Sequence, residues 1–370
     1  MKILEVNKYY PPWIGGIETV VKQVAEGFSD RGQQVTVLCC SGSNDEKIES
    51  QGGVLIIRVQ RFFSLFGMPI SLSFFRWYRR LVGTVDVVHI HYPFPLAFFA
   101  AWLFPSRAKL IIHYHADVIK QRYAQFFLLP LLHAIFSTST AVVVTSEALR
   151  DTSVLLRKYV SKCSVIPIGV PFERLCEEVR TRNVLYFRDL YGVFVLSVGR
   201  LSRYKGLPYL IHACRRISAH LVIAGIGDEL HSLRMLVKQL GANDAVVFLP
   251  HQSRENLMSL YKAAAVFVLP SISRNEAFGI VLLEAMAVGT PVISTELHTG
   301  TSTNNIHGET GLVVDPKNII ELSNALKRIL DDPQCAHAYG EQGSKRVKNH
   351  FSETTMINSL LDLCREAQSD

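Results

Sequence analysis

The chain predicts an α/β protein built from two parallel-sheet domains, and three observations carry that prediction. Its 370 residues exceed the roughly 100–200 of a single domain. Short runs rich in branched and aromatic residues alternate with helical stretches, the pattern of parallel strands joined by crossover helices. Hydrophobic residues make up 48% and charged residues 19%, which suits sheets covered on both faces and excludes a disordered chain.

In the first half, strands are predicted at 2–6, 35–39, 54–59, 87–91, 110–113, 142–145 and 164–168. In the second, they are predicted at 194–198, 221–224, 246–248, 266–269 and 292–294, with helices such as 207–217, 229–240 and 255–263 between them. Residues 171–191 mix charge with a few apolar side chains and hold no clean period, so they read as a linker between a domain at 1–170 and a domain at 192–350. An amphipathic helix follows within 351–370, after the second sheet is complete.

Thirty-nine basic and 32 acidic residues leave a formal charge of +7, which serves either solubility or an anionic partner. Such a partner is a nucleoside diphosphate or an acidic membrane surface; nucleic acid is not expected, because the basic residues are scattered and no binding motif accompanies them. Seven cysteines, odd in number and without Cys-x-x-Cys spacing, read as reduced thiols of a cytoplasmic protein. The opening Met1-Lys2-Ile3-Leu4-Glu5 turns polar too soon for a signal peptide. The longest apolar stretch, 94–104, is closed by Pro93 and Pro105 and falls short of the ~20 residues that span a bilayer.

Two stretches carry the chemistry. Gly199-Arg200, four residues, then Lys205-Gly206 lies just beyond the strand at 194–198, where parallel-sheet enzymes place ligands. Two cations flanked by glycines suit a pyrophosphate, and the plain alternative is a solvated loop. Glu284 is the sole charge in the apolar helical run 278–288, where an unpaired carboxylate costs several kcal/mol, so it must answer to a partner. Glu276 precedes it by eight residues, a helical rise of about 12 Å that matches the span from the hexose to the ribose of a nucleotide sugar. Glu276 with the backbone of Ala277, Phe278 and Gly279 is therefore placed at the hexose, Glu284 at the ribose diol, and the helix start at the diphosphate.

Gly15 and Gly16 open a helix after the first strand and let a backbone approach a phosphate or sugar closely, although a simple turn explains them equally; Glu18 serves the same helix as a first-turn carboxylate. His89, His91, His113 and His115 invite a zinc reading, which is rejected: the pairs end separate strands, two-residue spacing is ordinary strand alternation, and no metal is expected. Gly225-Ile226-Gly227 lacks a third glycine at 230 and is no dinucleotide fingerprint. Between 58 and 80, Phe62, Phe63, Phe66, Phe74, Phe75, Trp77 and Tyr78 mingle with Arg61, Arg76, Arg79 and Arg80, which suits either an anionic membrane surface or an ordinary core helix with a solvated face.

The Gly-Arg-x4-Lys-Gly and Glu-x7-Glu stretches resemble the retaining glycosyltransferase family 4, and the likeness runs nearly end to end. It includes Gly15-Gly16-Ile17-Glu18, Thr145-Ser146-Glu147, residues 166–170 and residues 308–314. The resemblance implies a GT-B fold, two Rossmann-like domains facing a central cleft, a terminal helix crossing back to the first domain, and no metal requirement. It also implies that Arg200 and Lys205 contact the donor diphosphate and that His115, in His113-Tyr114-His115-Ala116-Asp117, reaches the donor hexose, with Asp117 a weaker candidate on the acceptor side. Many relatives carry Pro-Asn-Gly where this chain has Pro167-Ile168-Gly169, which removes one polar contact.

Residues 296–311 are similar to a subgroup rich in mannosyltransferases of bacterial surface polysaccharide synthesis. The expected donor is therefore GDP-mannose and the expected acceptor a glycan carried on polyprenyl diphosphate, met by a cytoplasmic protein peripheral to the inner face of the plasma membrane. His115, Glu276, Arg200 and Lys205 are the expected catalytic residues. The rival readings are a UDP-hexose donor, a GT-B nucleotide-sugar epimerase that needs no acceptor, and a noncatalytic glycan-binding protein.

Overall fold

The computed structural model describes residues 1–13, 15–42, 45–65, 68–118 and 122–369. The chain forms two compact units, Met1–Ile168 with Thr354–Asp370, and Gly169–Glu353.

In the first unit the elements run β1 (Lys2–Val6), α1 (Gly16–Asp30), β2 (Gln34–Cys40), β3 (Lys47–Gln51), β4 (Val54–Val59), β5 (Phe63–Leu65), β6 (Met68–Ile70), α2 (Leu72–Val82), β7 (Val87–Tyr92), α3 (Pro95–Leu103), β8 (Lys109–Tyr114), α4 (Arg122–Thr138), β9 (Ala141–Val144), α5 (Glu147–Thr152) and β10 (Cys163–Val165). Eight strands form one sheet in the order β10-β9-β8-β7-β1-β2-β4-β3, parallel except for the edge strand β3, and β5 with β6 makes a separate hairpin. Strand alternation sorts the side chains. Leu4 and Val6 of β1, Val88, Ile90 and Tyr92 of β7, and Ile112 and Tyr114 of β8 join one apolar core, while Glu5, His89, His91 and His113 take the intervening positions. Helix α1 buries Val20, Val21, Val24, Ala25 and Phe28 at helical spacing, each large side chain contributing about 1.5–3 kcal/mol.

The second unit runs α6 (Phe172–Glu177), α7 (Thr181–Tyr191), β11 (Phe194–Val198), α8 (Leu207–Arg216), β12 (His220–Ala224), α9 (Leu230–Gln239), β13 (Val246–Leu249), α10 (Arg254–Ala263), β14 (Val266–Leu269), α11 (Ile280–Ala287), β15 (Val292–Thr295), α12 (Gly300–Asn304), β16 (Gly311–Val314), α13 (Ile319–Asp331) and α14 (Pro333–His350). Its six strands are all parallel, in the order β13-β12-β11-β14-β15-β16. A last helix, α15 (Glu353–Ser369), falls with the first unit from Thr354 onward, where Ile357 lies against Gly27.

Residues 171–191 are not a linker. They fold as α6 and α7 within the second unit, where Leu175, Val184 and Phe187 are buried, and Arg180 N donates to Ser259 Oγ of α10 while Asn183 bonds Asn256. Strands β3, β5, β6 and β16 were not foreseen: β3 is a polar edge strand, Lys-Ile-Glu-Ser-Gln, with one apolar residue in five, and the other three are only three or four residues long.

Candidate functional site

In each sheet the strand order reverses at one place, between β7 and β1 in the first unit and between β11 and β14 in the second. Connections leave such a pair toward opposite sides and open a crevice at the strands' carboxyl ends. The predicted residues of the second unit gather at its crevice. After β11 the chain passes Gly199 and Arg200, makes a short 3-10 turn over Arg203–Lys205, and enters α8 through Gly206, whose φ of 67° suits glycine. A Cβ there would stand 2.0 Å from Pro270 O of the loop after β14, so no larger residue lets the two loops meet.

Lys205 Nζ lies 2.6 Å from Glu276 Oε2, and Ser271 Oγ donates to the same oxygen at 2.9 Å. Burial works to lower the pKa of the Lys205 ammonium, and the Glu276 carboxylate outweighs it, leaving the pKa above its ordinary value. Arg200 is exposed, and among the described residues its side chain makes no hydrogen bond or ion pair.

The segment between Glu276 and α11 is pinned through its carbonyls. Thr299 Oγ1 donates to Glu276 O at 2.8 Å, Gly300 N to Ala277 O at 2.7 Å and Asn304 Nδ2 to Phe278 O at 2.6 Å. The N–H groups of Ala277, Phe278 and Gly279 donate to nothing among the described residues, and no side chain caps α11. A helix start with bare N–H groups, in the unit that also carries the Lys205 and Arg200 loop, has the chemistry that suits an anion. Helix α11 starts at Ile280, after Gly279 at φ 75°, so Glu276 stands outside it and the expected helical rise does not measure its distance from Glu284.

Glu284 has partners within the protein. Arg254 Nη1 donates to Oε1 at 2.8 Å and Tyr261 OH to Oε2 at 3.1 Å, while Arg254 Nε also reaches Glu178 at 2.8 Å. The charge expected to demand a ligand is thus already met within the protein, and each carboxylate oxygen keeps a lone pair able to accept. Neither Arg254 nor Tyr261 was singled out from the sequence, since 30 and 23 residues separate them from Glu284 and no local pattern links them. Thr299 and Asn304 fall in the segment 296–311 noted above.

The remaining predicted residues belong to the first unit. Gly15 precedes α1 in extended conformation, and Glu18 folds back over it so closely that a Cβ on Gly15 would meet Oε2 at 2.0 Å. A carboxylate therefore holds the place considered for a phosphate or sugar there, while the space around Gly16 is open. Asp117 accepts from Tyr114 OH and Ser153 Oγ, both at 2.7 Å.

The four histidines do not lie apart. Strands β7 and β8 are neighbours with His91 opposite His113, and all four rings come together with Glu5 in a fully buried cluster. Glu5 accepts from His89 Nδ1 at 3.0 Å and from His91 Nε2 at 2.8 Å, and His91 Nδ1 lies 2.8 Å from His115 Nε2. Ring nitrogens of His91, His113 and His115 lie within 4.8 Å of one another, close enough for a shared cation. Both nitrogens of His91 are already engaged by Glu5 and His115, so a cation there would have to break that chain.

Comparison with known proteins agrees with this architecture. Residues 14–174 match the model described as Glycosyltransferase Family 4, and residues 189–346 the model Glycosyl transferases group 1. A D-rhamnosyltransferase, WbpZ, of Pseudomonas aeruginosa is 32% identical over 95% of this chain and 92% of its own. The O-antigen chain mannosyltransferase C of Escherichia coli is 30% identical over 98% of both. Among solved structures, a sucrose-phosphate synthase from Thermosynechococcus elongatus superposes with a TM-score of 0.84 at 25% identity, covering 100% of this chain and 99% of that one. Anabaena HepE in complex with UDP gives 0.81 at 19% identity, covering 99% and 100%. The fold is GT-B, and the chain belongs to glycosyltransferase family 4.

Proposed function

We propose that this glycosyltransferase moves mannose, with retention, from GDP-mannose to a glycan carried on polyprenyl diphosphate during bacterial surface polysaccharide synthesis. The observation that carries the reading is the set of bare N–H groups at Ala277, Phe278 and Gly279 beside Lys205 and Arg200 at the crevice of the second sheet. Arg200, Lys205 and the start of the helix stabilise the leaving diphosphate as its charge develops, the task a metal performs elsewhere, so no metal is required. Glu276 and the backbone of Ala277 to Gly279 orient the hexose, Glu284 accepts from the ribose diol, and His115, by the resemblance to family 4, contacts the hexose. The acceptor oxygen bonds to the anomeric carbon on the face from which the diphosphate oxygen departs, and that oxygen takes the acceptor's proton. The mannose and the O-antigen glycan are supported by the name of the mannosyltransferase relative; the UDP in the HepE structure makes a UDP-hexose the competing donor.

A peripheral place on an anionic membrane accords with exposed Phe62, Phe63 and Leu72 beside exposed Arg76, Arg79 and Arg80, although Phe74 and Tyr78 of α2 are core residues. Phe66 lies outside the described residues. Among the described residues no helix is long and apolar enough to cross a membrane.

Incubation of the protein with GDP-mannose or UDP-hexoses, each with and without a polyprenyl-diphosphate glycan and with excess chelator, tests the reading. Nucleoside diphosphate released from GDP-mannose only in the presence of acceptor, and undiminished by chelator, is the expected result. Release without acceptor, or epimerised sugar, favours the epimerase, and release only from a UDP-hexose overturns the donor.

A further inference from the structure

Glu5 is wholly buried on β1 between the apolar Leu4 and Val6, and its charge is met inside the protein by imidazoles. Burial works to raise its carboxyl, yet His89 and His91 hold it down at about 2, so it is ionised and can only accept. His91 must therefore present Nε2–H to Glu5. Burial lowers the His91 pKa despite the Glu5 bond, and a neutral ring with Nε2–H has a bare Nδ1. That lone pair faces His115 Nε2 at 2.8 Å, with the two rings only 11° from parallel, so His115 must carry its proton on Nε2. Burial holds His115 well below the ordinary imidazole value as well, so its ring is neutral and its Nδ1 is bare.

The surroundings hold this arrangement. His113 stacks on His115 with centroids 4.2 Å apart and planes 12° from parallel. His89 Nε2 and both His113 nitrogens are sealed from solvent without partners, whereas His115 Nδ1 is not among the sealed atoms and is bonded by nothing among the described residues.

We propose that Glu5 and His91 are positioning residues that fix the tautomer of His115, so that His115 Nδ1 acts on the donor sugar as a hydrogen-bond acceptor and the sugar must offer it a hydroxyl. This rests on the transferase reading, in which His115 meets the hexose. The other tautomer would make Nδ1 a donor and reverse the bond, so that the ring could no longer take the hydroxyl's hydrogen and a fluorine in place of the hydroxyl would still be accepted.

Nitrogen-15 NMR of the imidazoles in the whole protein reads the tautomer without any variant: His115 is expected to show protonated Nε2 and bare Nδ1. His91→Phe keeps a ring in place and removes both links of the chain, and should lower turnover about 10–100-fold while leaving guanosine diphosphate affinity unchanged. His91→Gln restores a donor toward Glu5 and an acceptor toward His115, and should recover most of that loss. Deoxy and fluoro GDP-mannose analogues should both fail at one sugar position in the wild type, because neither donates. A wild-type His115 protonated on Nδ1, or a folded His91→Phe with full turnover while His115→Phe is impaired, overturns the relay and leaves the transferase reading standing. Full turnover in His115→Phe overturns the assigned contact and the relay together.

Discussion

Lys205 and Glu276 are each other's counterion, 2.6 Å apart on loops that leave the adjacent strands β11 and β14. Both side chains are nearly buried, so each neutralises a charge that the other would otherwise leave stranded. The two side chains therefore act as a preset pair rather than as two independent groups.

The two cations consequently separate on mutation. Lys205→Met strands the Glu276 carboxylate and should cost about 3–5 kcal/mol of folding stability, whereas Lys205→Met with Glu276→Gln should cost less than the sum of the single changes. Arg200→Ala breaks no hydrogen bond or ion pair among the described residues and should change stability by less than about 0.5 kcal/mol while weakening nucleoside diphosphate binding by about 1.5–3 kcal/mol. Urea unfolding and calorimetry read both. Because the folded pKa of Lys205 is raised, the pair's contribution is complete below the unfolded value near ~10.4 and is lost as pH rises through the higher folded value.

The histidine cluster makes stability fall in acid. His91, His113 and His115 are held below the ordinary value by burial, so below about pH 6.5 the unfolded chain binds protons that the folded one refuses. Stability should drop by up to about 4 kcal/mol per pH unit if all three remain neutral, as roughly 1.4 kcal/mol for each. Glu5 adds a second loss as pH falls from the unfolded value near ~4.3 toward 2. Equal unfolding free energies at pH 7 and pH 5 would refute this.

Much of this was legible in the sequence, for reasons that also explain the misses. Buried parallel strands such as Phe194–Val198 are continuous apolar runs, and Gly199 and Gly206 mark the loop between strand and helix, so the crevice of the second sheet is written locally. Glu5 carries a weaker signal than Glu284, because Lys2 three residues before it lets Lys-Ile-Leu-Glu-Val pass for a strand with two charged, solvated positions. The four histidines looked unrelated because the pairing of β7 with β8 is a fact of topology. The edge strand β3 carries too few apolar residues for periodicity to reveal it, and in the helix Thr181–Tyr191 exposed Leu185, Tyr186 and Leu190 blur the face that Val184 and Phe187 bury.

Membrane association should depend on the exposed arginines of α2. Arg79 and Arg80 lie 5.8 Å from the Phe104 ring and 5.4 Å from the Trp77 ring, so each can keep its aromatic contact while its charge meets phosphate. Replacing Arg76, Arg79 and Arg80 with Gln should reduce co-sedimentation with anionic vesicles by about 1 kcal/mol per charge, and added salt should do the same to the wild type. Unchanged co-sedimentation would make the patch purely structural.

The two glutamates should fail differently, because one is tied to the cation beside the bare N–H groups and the other to a separate scaffold of Arg254 and Tyr261. Glu284→Gln should weaken free guanosine diphosphate and GDP-mannose alike, since the ribose is common to both. Tyr261→Phe releases one carboxylate oxygen and should weaken both ligands in the same proportion, by about 0.5–1.5 kcal/mol, identifying Tyr261 as a support for Glu284. Glu276→Gln should leave guanosine diphosphate affinity nearly unchanged and lower kcat, because an interaction that strengthens only as the sugar departs appears in turnover. Calorimetry with guanosine diphosphate alone decides the matter: a loss in Glu276→Gln equal to that in Glu284→Gln would end the division of labour between them.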